Sequence, residues 1–308
     1  MGPIGRIGLI RHCPAVARMI TLRLVKVGIL ANPQKPDARR VIPALRAALA
    51  ARGIESVLET DTAAWLGERE SVRGEDFAAQ VDVAVAMGGD GTMLNAVAKL
   101  GVFEKPVAGL NLGTLGFLTS CTDDELDLFA DALAEGRFTT SRRTLLEATV
   151  FNNGSTSETF FALNEITLAR GQTGRLVSLL ATVNGEVLNH YRADGLIVAT
   201  PTGSTAYSLS AGGPLIDPAS GVFLITPICP HSLSQRSLVV CDGSEIVLAP
   251  EKADEGAMLF TVDGRETVSI AAGSRIVVKK STRTFHLLRL EGRTFYEALR
   301  QKLKWHGG

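Results

Sequence analysis

The sequence has no net charge, because 32 Lys and Arg residues balance 32 Asp and Glu residues among its 308. No overall field therefore attracts nucleic acid or an anionic membrane, and any bound phosphate must be held by local groups. The sequence also lacks an apolar run near the roughly 18 to 20 residues that a membrane-spanning helix requires. We therefore expect neither a nucleic acid nor a membrane among its partners.

Cysteine is scarce as well. The four cysteines, Cys13, Cys121, Cys229 and Cys241, lie far apart and form no CxxC or other short metal-ligand spacing. This pattern favours a reduced, cytoplasmic protein over a disulfide-bonded secreted one. Residues 1–24 contain four arginines and no acidic residue, as targeting segments do, but they lack a long apolar core. We interpret them as an untargeted N-terminal extension or a misassigned start.

The N-terminal part alternates strand and helix patterns. Short apolar runs that end at turn residues predict strands, and apolar residues at helical spacing predict helices between them. Strands are expected at residues 24–30, 54–58, 81–87 and 106–110, and helices at 38–52, 92–100 and, after a capping-box pattern that begins at Thr122, at 126–133. This alternation predicts an α/β domain with an open, mostly parallel sheet and helices on both faces.

Short β-rich runs replace the helical pattern from residue 143 to about residue 288. They lie at residues 146–150, 177–183, 195–200, 238–240, 246–248, 258–262 and 274–278, with turn signals at 152–154 and 184–185. A short helix is expected at residues 204–211 and a terminal helix at 294–305. We therefore predict an N-terminal extension, an α/β domain, a β-rich domain and a C-terminal helix, with bounds at 1–24, 25–121, 122–288 and 289–308.

The sharpest local signal is Gly88-Gly89-Asp90-Gly91-Thr92, which joins a predicted strand to a predicted helix. Glycines at a helix start let several backbone N–H groups approach one anion, so the loop suits a phosphate. The Asp90 carboxylate suits either proton transfer from an attacking hydroxyl or Mg²⁺ binding, both of which phosphoryl transfer uses. The plain alternative is a tight turn in which Asp90 caps the helix. The Walker A and Rossmann spacings are absent.

Three further stretches follow in order. Residues 111–118, NLGTLGFL, place glycines at the expected C-terminal edge of the sheet, where open α/β sheets bind ligands. The pair Asn164-Glu165 suits an adenine edge or ribose hydroxyls, although such pairs also occur on solvated surfaces. Residues 192–214, which include TPTGSTAYSLS at 200–210, lead from a strand into a short helix, and Tyr207 offers a flat ring to a base. A Ser/Thr-rich loop packed by one tyrosine would give the same pattern.

GGDGT resembles the signature shared by NAD kinases, diacylglycerol and sphingosine kinases, and phosphofructokinases. With the other three motifs in this order, the sequence resembles the NAD kinase family from about residue 25 to residue 305. The resemblance implies phosphoryl transfer to the 2′-hydroxyl of the adenosine ribose of NAD, with ATP as donor and Mg²⁺ as cofactor. It also implies a β-sandwich-like C-terminal domain, a final helix that returns to the N-terminal domain, and homodimers or homotetramers whose neighbouring subunits complete the dinucleotide site.

Site residues follow from the same resemblance, position by position. Asp90 is implied as the proton acceptor for the 2′-hydroxyl, and the phosphate loop as Gly88, Gly89, Gly91 and Thr92. The residues implied to contact NAD are Asp90, Gly91, Phe117, Asn164, Glu165, Arg175, Arg192, Asp194, Thr202, Thr205, Ala206, Tyr207, Ser210, Cys229, Asp263 and Arg265. Cys229 stands where the family often has a small residue such as alanine. No metal ligand is assigned.

Two other functions stay open at this stage. A lipid kinase uses the same loop, but it needs an apolar acceptor channel or a membrane-facing surface, and the sequence shows neither a basic amphipathic helix nor an apolar stripe. A non-catalytic dinucleotide sensor would keep the pocket without the chemistry. Asp90 inside an intact loop argues against that alternative.

Overall fold

The computed structural model describes residues 26–100, 105–152, 157–171, 175–232, 234–251 and 258–305. The helices are α1 Ala38–Ala50, α2 Thr60–Leu66, α3 Gly74–Gln80, α4 Asp90–Leu100, α5 Leu126–Glu135, α6 Tyr207–Ser210 and α7 Phe295–Lys302, with a 3₁₀ turn at Thr202–Thr205. The strands are β1 Lys26–Ala31, β2 Glu55–Leu58, β3 Val83–Met87, β4 Val107–Asn111, β5 Cys121–Thr122, β6 Phe138–Phe151, β7 Glu158–Ala162, β8 Glu165–Arg170, β9 Val177–Val183, β10 Glu186–Ala193, β11 Gly195–Ala199, β12 Val222–Ile228, β13 Leu238–Cys241, β14 Ile246–Pro250, β15 Met258–Val262, β16 Glu266–Ile270 and β17 Arg275–Leu290.

The N-terminal part is a parallel sheet in the order β2-β1-β3-β4. Alternate residues of β1 face opposite sides of this sheet, as the pleat requires. Val27 and Ile29 pack with α1 and α5, whereas Leu30 packs with α3 and α4. Helices therefore cover both faces, and the predicted open α/β sheet is confirmed.

Strand β17 joins the two parts of the chain. It lies parallel to β4 at Leu287 and Val107, antiparallel to β6 along most of its 16 residues, and antiparallel to β14 from Ile276 to Val278. The first sheet thereby continues from the parallel strands through β17, β14, β9 and β10. A second, six-stranded sheet has the order β13-β12-β11-β8-β15-β16.

The C-terminal core lies between these two sheets. Leu179 and Ile276 of the first sheet are fully buried together with Val198 and Phe260 of the second. Two sheets packed face to face form a sandwich, so the predicted β-rich, sandwich-like part is confirmed. The terminal helix α7 returns to the N-terminal part, where the Phe295 ring lies 6.2 Å from the Phe117 ring.

Most predicted elements are present within two residues of their expected ends. The turn predicted at residues 184–185 is also confirmed, because Asn184 and Gly185 have φ angles of 53° and 82° and connect β9 to β10. Two predictions lie partly outside the described residues: the first two residues of the strand at 24–30, and most of the turn at 152–154.

Several elements differ from the prediction. The helix predicted at residues 204–211 is a 3₁₀ turn followed by a single helical turn, because the backbone breaks at Ala206, with φ −103° and ψ −130°. Helix α5 begins at Leu126, as predicted, but ends at Glu135, two residues later than predicted, and the Thr122 N–H donates to Glu125 Oε2 in the turn before it. Helix α2 was not predicted, since its N-cap is Glu59, which is a less usual capping residue than Ser, Thr, Asp or Asn.

No helix within the described residues is both long and apolar enough to cross a membrane.

We expect Gly28→Ala to destabilise the protein. A Cβ atom on Gly28 would lie 2.2 Å from Phe77 Cζ, and the Phe77 ring is fully buried, so either the ring or the strand must shift within a packed core. Overpacking of this kind lowers the free energy of unfolding by about 1 to 3 kcal/mol, which urea denaturation measures. Gly243→Ala is the control, because its Cβ would meet only Cys241 Sγ, at 3.9 Å. Equal urea midpoints for the two variants would contradict the expectation.

Candidate active site

The GGDGT loop lies at the C-terminal end of β3, where α4 begins. Gly88 has a φ of +144°, and a Cβ on it would lie 2.2 Å from Thr92 Oγ1, so this position requires glycine. The Gly88 N–H donates to the Leu110 carbonyl at 2.8 Å, and the Thr92 N–H donates to Gly89 at 2.9 Å. These bonds fix the loop against β4 and against the first turn of α4.

The Asp90 carboxylate bonds across to the loop at residues 111–118. Its Oδ2 accepts the Phe117 N–H and its Oδ1 accepts the Leu118 N–H, each at 3.0 Å. Gly116 permits this approach, since a Cβ there would lie 2.2 Å from Asp90 Oδ1. The two sequence motifs thus meet at the sheet edge. Asp90 is the first residue of α4, and its carboxylate links two loops. This arrangement differs from the plain alternative, in which Asp90 would only cap the helix.

Two buried arginines that the sequence did not single out lie beside this pair of loops. Arg289 Nη2 donates to the Phe117 carbonyl at 3.1 Å, and Arg143 is 2% exposed, with no hydrogen-bond partner at Nε among the described residues. Burial lowers the pKa of Arg289, although the charge of Asp90 opposes this. Burial and the neighbouring Arg289 lower the pKa of Arg143 to about 9, and Asp217 opposes this shift.

Asp263 performs a similar task in the β-rich part. With Gly264 it forms the turn between β15 and β16, where both residues have positive φ angles as a type I′ turn requires. Its buried carboxylate accepts N–H groups from Leu163 at 3.0 Å, Asn164 at 2.8 Å and Glu165 at 3.1 Å. Burial raises the pKa of Asp263, and the three donors and nearby Arg265 oppose the shift.

The structure brings Asn164-Glu165 together with the TPTGSTAYSLS segment. The Thr200 N–H donates to the Asn164 carbonyl at 2.8 Å, and a Cβ on Gly203 would lie 2.1 Å from the same oxygen. Glu165 is 7% exposed, and its Oε2 has no hydrogen-bond partner within the part of the chain that the structure describes. Burial, with the charge of Asp263, raises the pKa of Glu165 to about 8, while a backbone hydrogen bond from Tyr207 opposes this shift.

The remaining predicted residues divide into two groups. Tyr207 and Ser210 are exposed and Thr205 and Ala206 half-buried beside Glu165, whereas Thr202 is buried. The second group lies at the other end of β11. Asp194 pairs with Arg170 at 3.0 Å, Cys229 is exposed with a φ of +44°, and Arg192 and Arg175 are exposed. Six residue steps along β11 and its ends, from Asp194 to Thr200, separate the two groups by about 20 Å, at roughly 3.3 Å per residue.

Comparison with known proteins identifies the family. The model of the ATP-NAD kinase N-terminal domain matches residues 27–138, and that of the ATP-NAD kinase C-terminal domain matches residues 163–290. The chain belongs to the ATP-NAD kinase family. The resemblance inferred from the motifs is therefore confirmed, and with it the expectation that the chain is a kinase.

Individual members of this family are similar in sequence to this chain over most of their length. The NAD kinase of Geobacter sulfurreducens is 37% identical over 280 residues, covering 91% of this chain and 98% of that protein. The NAD kinase of Chlorobium luteolum is 40% identical over 281 residues, covering 91% and 97%. Yeast NADH kinase, solved with NADH, superposes with a TM-score of 0.83 at 28% identity, covering 94% of this chain and 90% of that one. The fold is also that of an Archaeoglobus fulgidus NAD kinase solved with ATP, with a TM-score of 0.72 at 24% identity and coverage of 92% and 100%.

We expect Gly116→Ala to reduce kinase turnover while the protein still folds. The new Cβ would displace the flexible end of Asp90, which would lose its two backbone donors. A displacement of about 1 Å in a catalytic group can lower the rate about 100-fold. Steady-state assays would measure this effect, with Gly243→Ala as control. Wild-type turnover in Gly116→Ala would show that the hydrogen bonds from the Phe117 and Leu118 N–H groups do not position Asp90.

We expect Glu165 to make stability depend on pH. A carboxyl whose pKa rises from 4.5 to about 8 on folding binds its proton more tightly in the folded state. Its contribution is fully present below pH 4.5 and is lost as the pH rises through about 8. Glu165→Gln stays neutral, so the free energy of unfolding of this variant should rise relative to that of the wild type between about pH 4.5 and about pH 8. The exposed Glu186→Gln is the control, and parallel pH profiles for wild type and Glu165→Gln would contradict the assignment.

Proposed function

We propose that the chain transfers the γ-phosphoryl group of ATP to the 2′-hydroxyl of the adenosine ribose of NAD, giving NADP and ADP. The observation that carries the proposal is the position of Asp90. Its carboxylate is fixed between the GGDGT loop and the loop at 111–118, at the edge where an open α/β sheet binds its ligands.

In the proposed reaction the ribose 2′-oxygen attacks the γ-phosphorus. A bond forms between these atoms, the bond from the γ-phosphorus to the oxygen bridging the β-phosphate breaks, and ADP leaves with that electron pair. The proton of the 2′-hydroxyl passes to Asp90. Each Asp90 oxygen accepts one backbone N–H, so a second lone pair on each remains for the hydroxyl. The loop N–H groups at the start of α4 face the phosphates.

The adenosine is held by the groups around Glu165. The buried Oε2 has no partner among the described residues and needs a hydrogen bond, which a ribose hydroxyl or an adenine amino group supplies. With a pKa raised to about 8, the Glu165 carboxyl is largely protonated near neutral pH and donates as well as accepts. The 45% exposed Tyr207 ring offers a stacking surface to the base, with Thr205, Ala206 and Ser210 beside it.

Mg²⁺ is proposed to arrive with the triphosphate. Within the described residues no three His, Cys, Asp or Glu side chains gather into a metal site. Mg²⁺ does not need such a cluster, because it keeps several waters and binds through one or two carboxylates and the substrate phosphates. Asp90, beside the phosphate loop, is the carboxylate placed to contact it. When bound, the ion neutralises charge on the β- and γ-phosphate oxygens.

A neighbouring subunit is proposed to complete the dinucleotide site. Asp194, Arg192 and Cys229, which the family resemblance implies among the NAD contacts, lie about 20 Å along the sheet from the adenosine group, at roughly 3.3 Å per residue, and we assign them to the nicotinamide end. In a homodimer or homotetramer, this end of one subunit would meet the adenosine end of another. A cytoplasmic location is proposed from the unpaired thiols of Cys121, Cys229 and Cys241.

The test combines product analysis with Asp90→Asn. Purified protein is incubated with Mg²⁺, ATP and either NAD, NADH or diacylglycerol, and the phosphorylated product is identified. We expect NADP from NAD, and turnover lower by about 100-fold to 10,000-fold in Asp90→Asn with NAD affinity largely kept, because the proton acceptor is lost.

The exposed Asp76→Asn serves as the matched control. Unchanged turnover in Asp90→Asn would remove Asp90 from the mechanism. Binding of NAD by wild-type protein without any NADP formed would favour a dinucleotide sensor, and a phosphorylated lipid would favour a lipid kinase.

A further inference from the structure

Helix α7 lies against the loop that Asp90 holds. Its first residue, Phe295, packs near Phe117, with the ring centroids 6.2 Å apart. Its last residue, Lys302, donates from Nζ to Thr114 Oγ1 at 3.4 Å. Because the Phe117 N–H is one of the two that Asp90 accepts, the position of α7 is connected to that of the proposed proton acceptor.

The second residue of α7 contacts the other half of the molecule. The Tyr296 hydroxyl donates to Asp217 Oδ2 at 2.5 Å, and this hydrogen bond raises the pKa of Tyr296, so the phenol keeps its proton. Asp217 lies in the loop between α6 and β12. Its neighbour Ile216 donates its N–H to Ser204 Oγ at 3.0 Å, and Ser204 is fully buried in the 3₁₀ turn that precedes α6. Tyr296 is thereby connected to the segment that is proposed to bind the adenosine.

These two segments act on one nucleoside. In the proposed reaction Asp90 takes the proton of the ribose 2′-hydroxyl, while the groups around Tyr207 hold the adenine of the same adenosine. The distance between the two segments must therefore match the dimensions of adenosine. A displacement of about 1 Å in such an arrangement can lower the rate about 100-fold. Asp90 belongs to the N-terminal half and Tyr207 to the β-rich half, so contacts between the halves set this distance.

Two consecutive side chains of α7 supply such contacts. Phe295 touches the segment from the N-terminal half, and Tyr296 touches the segment from the β-rich half. The two rings also lie edge to face, with centroids 5.6 Å apart, so the positions of the two contacts are coupled. Thr294 fixes the start of the helix, because its Oγ1 accepts the Glu297 N–H at 3.1 Å. Tyr296 is 55% exposed, so loss of its hydroxyl leaves the core intact.

We propose that Tyr296 is a positioning residue for the transfer, and that its hydrogen bond to Asp217 sets the distance between the adenosine-binding segment and the loop that holds Asp90. The proposal rests on the proposed function, and it adds a residue that acts through Asp217 and Phe295 rather than on the substrates. Since the hydrogen bond aligns the acceptor, its loss should lower kcat and leave the KM for ATP unchanged.

The first test is Tyr296→Phe, which removes only the hydroxyl group. Loss of one hydrogen bond of this kind corresponds to a factor of about 3 to about 10, so we expect kcat with saturating NAD and ATP to fall by that factor. The KM for ATP should change less than about two-fold, and the urea midpoint should equal that of the wild type. Gln301→Ala, at an exposed position of the same helix, is the matched control and should keep the wild-type kcat.

The second test measures the same loss in two backgrounds. Asp217→Ala removes the acceptor, so adding Tyr296→Phe to it should lower kcat further by less than about two-fold, because the two side chains act through one hydrogen bond. Three outcomes would overturn the proposal: a wild-type kcat in Tyr296→Phe whatever its urea midpoint, an equal loss in both backgrounds, or an effect confined to the KM for ATP. None of them affects the proposed function, which fails only if wild-type protein forms no NADP from ATP and NAD.

Discussion

The site depends on carboxylates that accept hydrogen bonds from the backbone of distant segments. Asp90 holds the N–H groups of Phe117 and Leu118, and Asp263 holds three consecutive N–H groups that begin at Leu163. Backbone N–H groups of a loop lose their hydrogen bonds to water when they become buried, so they need other acceptors. A carboxylate supplies several acceptor sites in one small group. In a low-dielectric interior these bonds are strong, and their loss is correspondingly costly. The geometry of each of these two loops is therefore set by one acidic residue on a different element.

The strands and helices form the rigid frame that holds Asp90 and Asp263 in place for these hydrogen bonds. Strand β17 pairs with strands of both halves, and Arg289 near its end donates to the Phe117 carbonyl, so the loop that Asp90 holds is also tied to β17. Ser120 strengthens the same junction through a hydrogen bond to the Leu288 carbonyl. The two halves thus share one sheet, and a loop of the first half cannot move without disturbing the strand that anchors the second.

The sequence allowed most of the N-terminal fold to be predicted, because apolar runs there end at glycine or proline and alternate with clear helical spacing. The lengths of β6 and β17 were not predictable, since lysines, arginines and threonines interrupt their apolar pattern. The arginine pair Arg143 and Arg289 was missed for a different reason. A buried arginine and a solvated one look the same in a sequence, and only pairing between β6 and β17 buries both. Asp263 was predicted as a site residue, but its three backbone donors depend on a contact across about 100 residues.

The neighbouring carboxyls of Glu165 and Asp263 have different environments, and this difference decides which one carries the proton. Asp263 has three backbone donors and Arg265 nearby, all of which favour its ionised form. Glu165 has one backbone donor, an oxygen without a partner, and the charge of Asp263 beside it, so its pKa rises to about 8. Two buried carboxyls at close range do not both ionise readily, and the less supported one keeps its proton. Burial raises the pKa of Asp263 as well, but its three backbone donors and Arg265 oppose that shift, so Asp263 is the better supported of the two as a carboxylate, whereas Glu165 keeps an oxygen available for a further hydrogen bond.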